Sequence, residues 1–145
     1  MTIRTELIYD RAALIDRSLR RLEKFAEFPL ADFLRDSDNY AIAEHYLRIS
    51  LEAIFDIGRH ILVKSGLGKP GDYREILVLL NRNGIIPDDF FERVKGMAGY
   101  RNRLTHMYNE IDGAELYAIL RDRRQDIKEL TALLLKYVKE ANRIP

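Results

Sequence analysis

The sequence has no cysteine. This excludes disulfides, thiolate nucleophiles and cysteine-based metal sites, and it fits a reducing compartment. Charge of one sign is also missing: 24 Lys and Arg stand against 23 Asp and Glu, a formal net charge of +1. That balance does not demand a polyanionic partner, although phosphate contacts need only a local patch. Long apolar runs are absent too. The longest uninterrupted aliphatic stretch is Ile76 to Leu80, and Met1 to Arg11 mixes charged with apolar residues where a signal peptide would be apolar. The expectation is a cytoplasmic protein with no membrane segment. No internal repeat, low-complexity tract or linker interrupts the 145 residues, which suffice for a single domain over residues 1–145.

Several chemical motifs are lacking as well. No His-x-x-x-His pair exists among His45, His60 and His106, and no Gly-x-Ser-x-Gly elbow is present. The Gly-rich stretch Ser65 to Gly71 has the wrong spacing for a phosphate-cradling loop, and no strand precedes it. Asp56 with His60, and His106 with Glu110, are spaced by four, but each pair reads equally well as a hydrogen bond. Neither a metal ion nor another cofactor is called for.

What is present is helical periodicity. From about Thr5 to Glu27, Leu7, Ile8, Leu14, Ile15, Leu19, Leu22 and Phe25 recur at helical spacing, opposite a basic row of Arg17, Arg20, Arg21 and Lys24. Pro29 stops this helix. Ser37 and Asp38 offer caps for a long second helix to about Lys64. Its apolar residues form two stripes, Ile42, Tyr46, Ile49, Ala53, Ile57 and Leu47, Leu51, Ile54, Gly58, Ile61, Leu62, so it needs cover on two sides, from its own domain or from a second subunit. Arg48, Glu52, Asp56 and Arg59 form its wet edge. Asp72 with Glu75 predicts a capped third helix through Leu80. Pro87 starts a fourth, and Asp112 with Glu115 a fifth that runs to about Asn142 and carries a second basic cluster, Arg121, Arg123, Arg124 and Lys128. The predicted architecture is an all-α antiparallel bundle of four to five helices.

The fourth helix carries the anomaly. On a helical wheel Arg101 shares the apolar arc of Phe90, Val94, Met97, Leu104 and Tyr108. Asn102 and His106 lie four apart, so the amide can fix which imidazole nitrogen carries the proton. Arg101 and His106 are about 140° apart on a straight wheel, so a shared site requires a bend or a second subunit. Gly96 and Gly99, each costing roughly 1 kcal/mol relative to Ala in a helix, call for a close backbone approach. An arginine and a histidine suit cleavage of RNA by its own 2′-hydroxyl: groups near neutral pKa move the protons, and a planar cation steadies the phosphorane. One chain supplies one suitable His, so a homodimer is the simplest way to two proton-transfer groups. The same spacing leaves a plainer reading open, in which Arg101 pairs with a buried carboxylate and His106 caps a helix end.

The run Gly96-Met97-Ala98-Gly99-Tyr100-Arg101-Asn102, followed by His106-x-Tyr108 and Asp112, resembles the Arg-x4-His-x-Tyr signature of HEPN-domain toxins of the HepT type. The order of helices and loops resembles that family along nearly the whole chain. The resemblance implies a HEPN-like fold and a homodimeric, metal-independent ribonuclease acting as the toxin of a bacterial or archaeal toxin–antitoxin pair. It implies catalytic roles for Arg101 and His106, and it places Asn102 at the polar position beside the arginine. Tyr108 matches the tyrosine that a minimal nucleotidyltransferase antitoxin can modify with AMP, which would put bulk and negative charge where an RNA phosphate must sit. Two alternatives stand beside this: a non-catalytic module that binds a nucleotide or partner in the same cleft, and a structural helical subunit that docks a nucleotidyltransferase.

Overall fold

The computed structural model describes residues 2–105 and 111–143. Among the described residues there are eight helices and no strand. Helix α1 (Thr5–Ala26) buries Ile8, Ile15, Leu19, Leu22 and Phe25 and leaves Arg17, Arg20, Arg21 and Lys24 outside, as its periodicity predicts. Pro29 stops α1 and also starts α2 (Leu30–Arg35), which the periodicity did not reveal. Six residues are too few to show a helical repeat. Helix α2 is held by Phe33, whose ring meets Phe25 at 5.9 Å and Tyr117 at 5.4 Å.

Helix α3 (Ser37–Lys64) is the centre of the fold. Its N-cap is Asp36, whose carboxylate accepts the Asp38 N–H at 2.9 Å, one residue before the expected caps. The chain itself covers nearly all of both apolar stripes: α3 packs against α1, α2, α4, α6, α7 and α8. Only the end at Ile42, 44% exposed, lacks cover among the described residues. The helix closes in a Schellman turn, with Leu67 N–H on the Leu62 carbonyl at 2.8 Å and Gly66 at φ +69°, a backbone geometry that favours glycine.

Helix α4 (Tyr73–Arg82) begins where Asp72 accepts the Glu75 N–H at 2.8 Å. Its apolar run Ile76–Leu80 is helical, with Ile76, Leu77 and Leu80 buried. The expected fourth and fifth helices are each divided. Helix α5 (Asp88–Val94) and helix α6 (Met97–Thr105) part at Lys95 and Gly96, where the Gly96 carbonyl accepts from Gly99 N–H at 3.0 Å to begin a new turn. Helix α7 (Gly113–Asp122), capped by Asp112, parts from helix α8 (Arg124–Arg143) at Arg123. No glycine or proline marks that second break. The buried Asp126 carboxylate instead receives Arg93 at 3.0 Å and Arg123 at 3.4 Å, a tertiary clasp holding the corner. The all-α bundle is as expected, and these two breaks together with α2 account for its finer division.

Candidate active site

Arg101 does not sit in the apolar core. Helix α6 buries Met97, Ala98 and Leu104, and Arg101 leaves the helix toward α3 and α4 with 22% of its side chain exposed. Its guanidinium carbon stands 4.4 Å from the centre of the Tyr73 ring, and its Nη2 lies 3.7 Å from Glu52 Oε1. The aromatic face contributes about 0.5–1 kcal/mol or more as solvent is excluded. The long, half-open ion pair adds little. Glu52 also lies 3.8 Å from Arg48, whose Nε meets Glu44 at 2.9 Å, so charges alternate along one edge of α3 up to Arg101. The carboxylate of the plainer reading therefore exists, but it is 32% exposed and not buried.

Asn102 is exposed on α6. Arg103 grips both oxygens of Glu115 at 2.6 Å, a bidentate pair tying α6 to α7. On the far side of the motif, Tyr40 on α3 donates its hydroxyl to the Ile111 carbonyl at 2.5 Å. Burial, then the carboxylates of Glu44, Asp112 and Glu115, raise the Tyr40 pKa and keep this donor protonated. The chain is thus fixed to the bundle within the motif, at Arg103, and after it, at Ile111. His106 and Tyr108 lie outside the described residues, so the pairing of Asn102 with His106 and the approach of His106 to Arg101 are not placed. The same holds for His106 with Glu110.

The other histidines have local roles. His45 is exposed with its ring edge-on to Tyr46 at 5.0 Å, and His60 Nε2 accepts the Arg4 N–H at 2.9 Å. Asp56 meets Arg11 at 3.3 Å, not the His60 that the spacing suggested. Among the described residues no three His, Asp or Glu side chains converge as metal ligands, and no helix is long and apolar enough to cross a membrane. In the basic rows, Arg20 pairs with Asp16 at 3.0 Å, Arg21 lies over Tyr46 and Arg121 over Tyr117. Beyond its own stretch of chain, a Cβ on Gly96 or Gly99 would meet no described atom within 4 Å, so no other described part of the chain makes the close approach expected there.

Sequence reasoning missed Tyr73 as the platform of Arg101 and treated Glu52 only as part of a wet edge. No local pattern couples either to α6. Their meeting is set by how α3, α4 and α6 pack.

Comparison with known proteins places these residues in context. The family model for ribonuclease HepT-like proteins matches residues 15–134, a span that contains Arg101, Asn102, His106 and Tyr108. A tRNA nuclease HepT from Aphanizomenon flos-aquae is 32% identical over 111 residues, covering 77% of this chain and 76% of that one. An mRNA nuclease HepT from Shewanella oneidensis is 30% identical over 111 residues, covering 74% and 80%. Among solved structures, the tri-AMPylated HEPN toxin of Shewanella oneidensis, in complex with its MNT antitoxin, superposes with a TM-score of 0.80 at 24% identity, over 90% of this chain and 97% of that one.

Proposed function

The chain belongs to the HepT-like ribonuclease family, and from that premise we propose that it is the toxin of a toxin–antitoxin pair, cutting RNA without a metal ion at a site completed by two copies of itself. The observation that carries this reading is the setting of Arg101: a guanidinium held by an aromatic face and a carboxylate at a half-open edge, inside the span shared with the family. A planar cation so held is oriented before substrate arrives, and it can exchange the weak contact with Glu52 for two phosphate oxygens.

In the proposed reaction the 2′-oxygen attacks the adjacent phosphorus as a histidine removes its proton. The bond from phosphorus to the 5′-oxygen breaks, and a second proton donor supplies that leaving oxygen. The products are a 2′,3′-cyclic phosphate and a 5′-hydroxyl. Arg101 stabilises the phosphorane, His106 transfers protons, Asn102 orients the imidazole, and the His106 of a second copy supplies the other proton-transfer group. DNA lacks the attacking hydroxyl and is spared. The antitoxin is a nucleotidyltransferase, and Tyr108 is the site at which it attaches AMP: the phenol oxygen takes the α-phosphorus of ATP and pyrophosphate leaves. The complex and modification described for the Shewanella oneidensis toxin support this part of the reading.

The test is incubation of RNA with the purified protein in excess chelator, with end-group analysis of the fragments. Cyclic phosphate ends are expected from the parent and not from Arg101→Ala or His106→Ala. Undiminished cleavage by either variant, or cleavage that stops in chelator, overturns the assignment. Co-production with the nucleotidyltransferase is expected to add the mass of AMP to the parent and not to Tyr108→Phe.

A further inference from the structure

The wet edge of α3 does not end at Arg101 and Glu52. One turn on, Asp56 meets Arg11 of α1, and beyond it Arg59, His60 and Lys64 open onto a cavity of about 380 Å³ between α1 and α3. Leu7 and Val63 give this groove an apolar floor. Its rim carries three cations, Arg11, Arg59 and Lys64, against one carboxylate, Asp56. His60 accepts the Arg4 N–H through Nε2, so its Nδ1 carries the hydrogen. Burial, then Lys64 and Arg4, lower its pKa and keep the ring neutral, a donor in a positive surround.

An apolar floor under a cationic rim is the chemistry of a nucleotide, with a base on the floor and phosphates at the rim. Position fits as well. Residues 52, 56, 60 and 64 recur by four, each step climbing about 6 Å and turning about 40°, so the row winds from Glu52 toward α1 and reaches Lys64 about 18 Å along and about 120° around the helix, a path that a few nucleotides can follow. Resting on the reading of Arg101 as part of an RNA-cleaving site, we propose that the α1–α3 groove binds the single-stranded RNA flanking the scissile bond, with Arg11, Arg59 and Lys64 on its phosphates. The Arg11–Asp56 pair does not oppose this: Asp56 is 57% exposed in its side chain, and such a surface pair opens at little cost.

The test uses a 2′-O-methyl single strand of about twelve nucleotides, which cannot be cut, beside a dinucleotide that reaches only the scissile position. With Arg11→Gln, Arg59→Gln and Lys64→Gln combined, the long strand is expected to bind about tenfold more weakly and its salt slope to fall by about 2, with the dinucleotide unaffected. Equal affinity and slope in parent and variant overturn the proposal. Cross-links from 4-thiouridine in the long strand to the unaltered protein provide a measure independent of the variant's folding. They are expected on peptides from the start of α1 and the end of α3, and cross-links found only elsewhere overturn the proposal. Binding and cross-linking as expected, in a parent that leaves ordinary RNA intact, would sink the ribonuclease reading and keep the groove.

Discussion

At the scale of single residues the governing fact is that Arg101 is positioned by side chains from two other helices, Tyr73 on α4 and Glu52 on α3. Lysine keeps the charge and loses the planar fork that stacks and pairs, so Arg101→Lys is expected to lower RNA cleavage by about 10²-fold with helix content unchanged by circular dichroism. Tyr73→Phe keeps the aromatic face and should cut nearly as fast as the parent. Tyr73→Leu removes it and should lower kcat more than it raises KM, because the cation loses orientation and not charge. His60 makes a separate prediction. Its pKa in the folded chain lies below the ordinary 6.5, so in the window just under 6.5 the unfolded chain binds a proton that the folded chain refuses. That contribution to stability is complete above the window and is lost as pH falls through the folded value. The thermal midpoint should therefore drop between about pH 7 and about pH 5, and less steeply in His60→Gln. Arg101 was legible in the sequence because a charge on an apolar arc is a local contradiction. Tyr73 was not, because an aromatic in the first turn of an amphipathic helix contradicts nothing.

At the scale of elements, legibility followed the caps. Asp72 with Glu75 and Asp112 with Glu115 predicted the starts of α4 and α7, and both aspartates accept the expected N–H at 2.8 Å. The break at Arg123 went unseen because neither glycine nor proline marks it, and the contact beside it, Arg93 on α5 with Asp126 on α8, is one that local periodicity does not report. Gly58 shows the same dependence on neighbours. A Cβ there would lie 2.8 Å from Ile76 Cγ2 and 3.3 Å from Leu80 Cδ1, where α3 and α4 touch. Overpacking costs about 1–3 kcal/mol, and the gain in helix propensity returns about 1 kcal/mol. Gly58→Ala is thus expected to destabilise by about 1 kcal/mol in urea unfolding. A stabilised variant would mean that the two helices separate more readily than their packing indicates.

At the scale of the whole molecule, the proposed two-copy site would tie activity to association. Among the described residues nothing beyond their own stretch of chain comes within 4 Å of a Cβ at Gly96 or Gly99, at the start of the helix that carries Arg101. A second copy approaching there would find backbone without side chains in the way. Gly99→Leu is therefore expected to shift the protein toward monomer in sedimentation velocity and to lower RNA cleavage in step. A variant that stays dimeric and fully active would move the contact elsewhere.

The long third helix leans on nearly every other helix of the fold. A rod wedged on so many sides has no private route to melting, so the amides between Leu47 and Leu62 should trade hydrogen for deuterium only when the entire chain opens. Their exchange would then serve as a clock for how long each molecule survives intact.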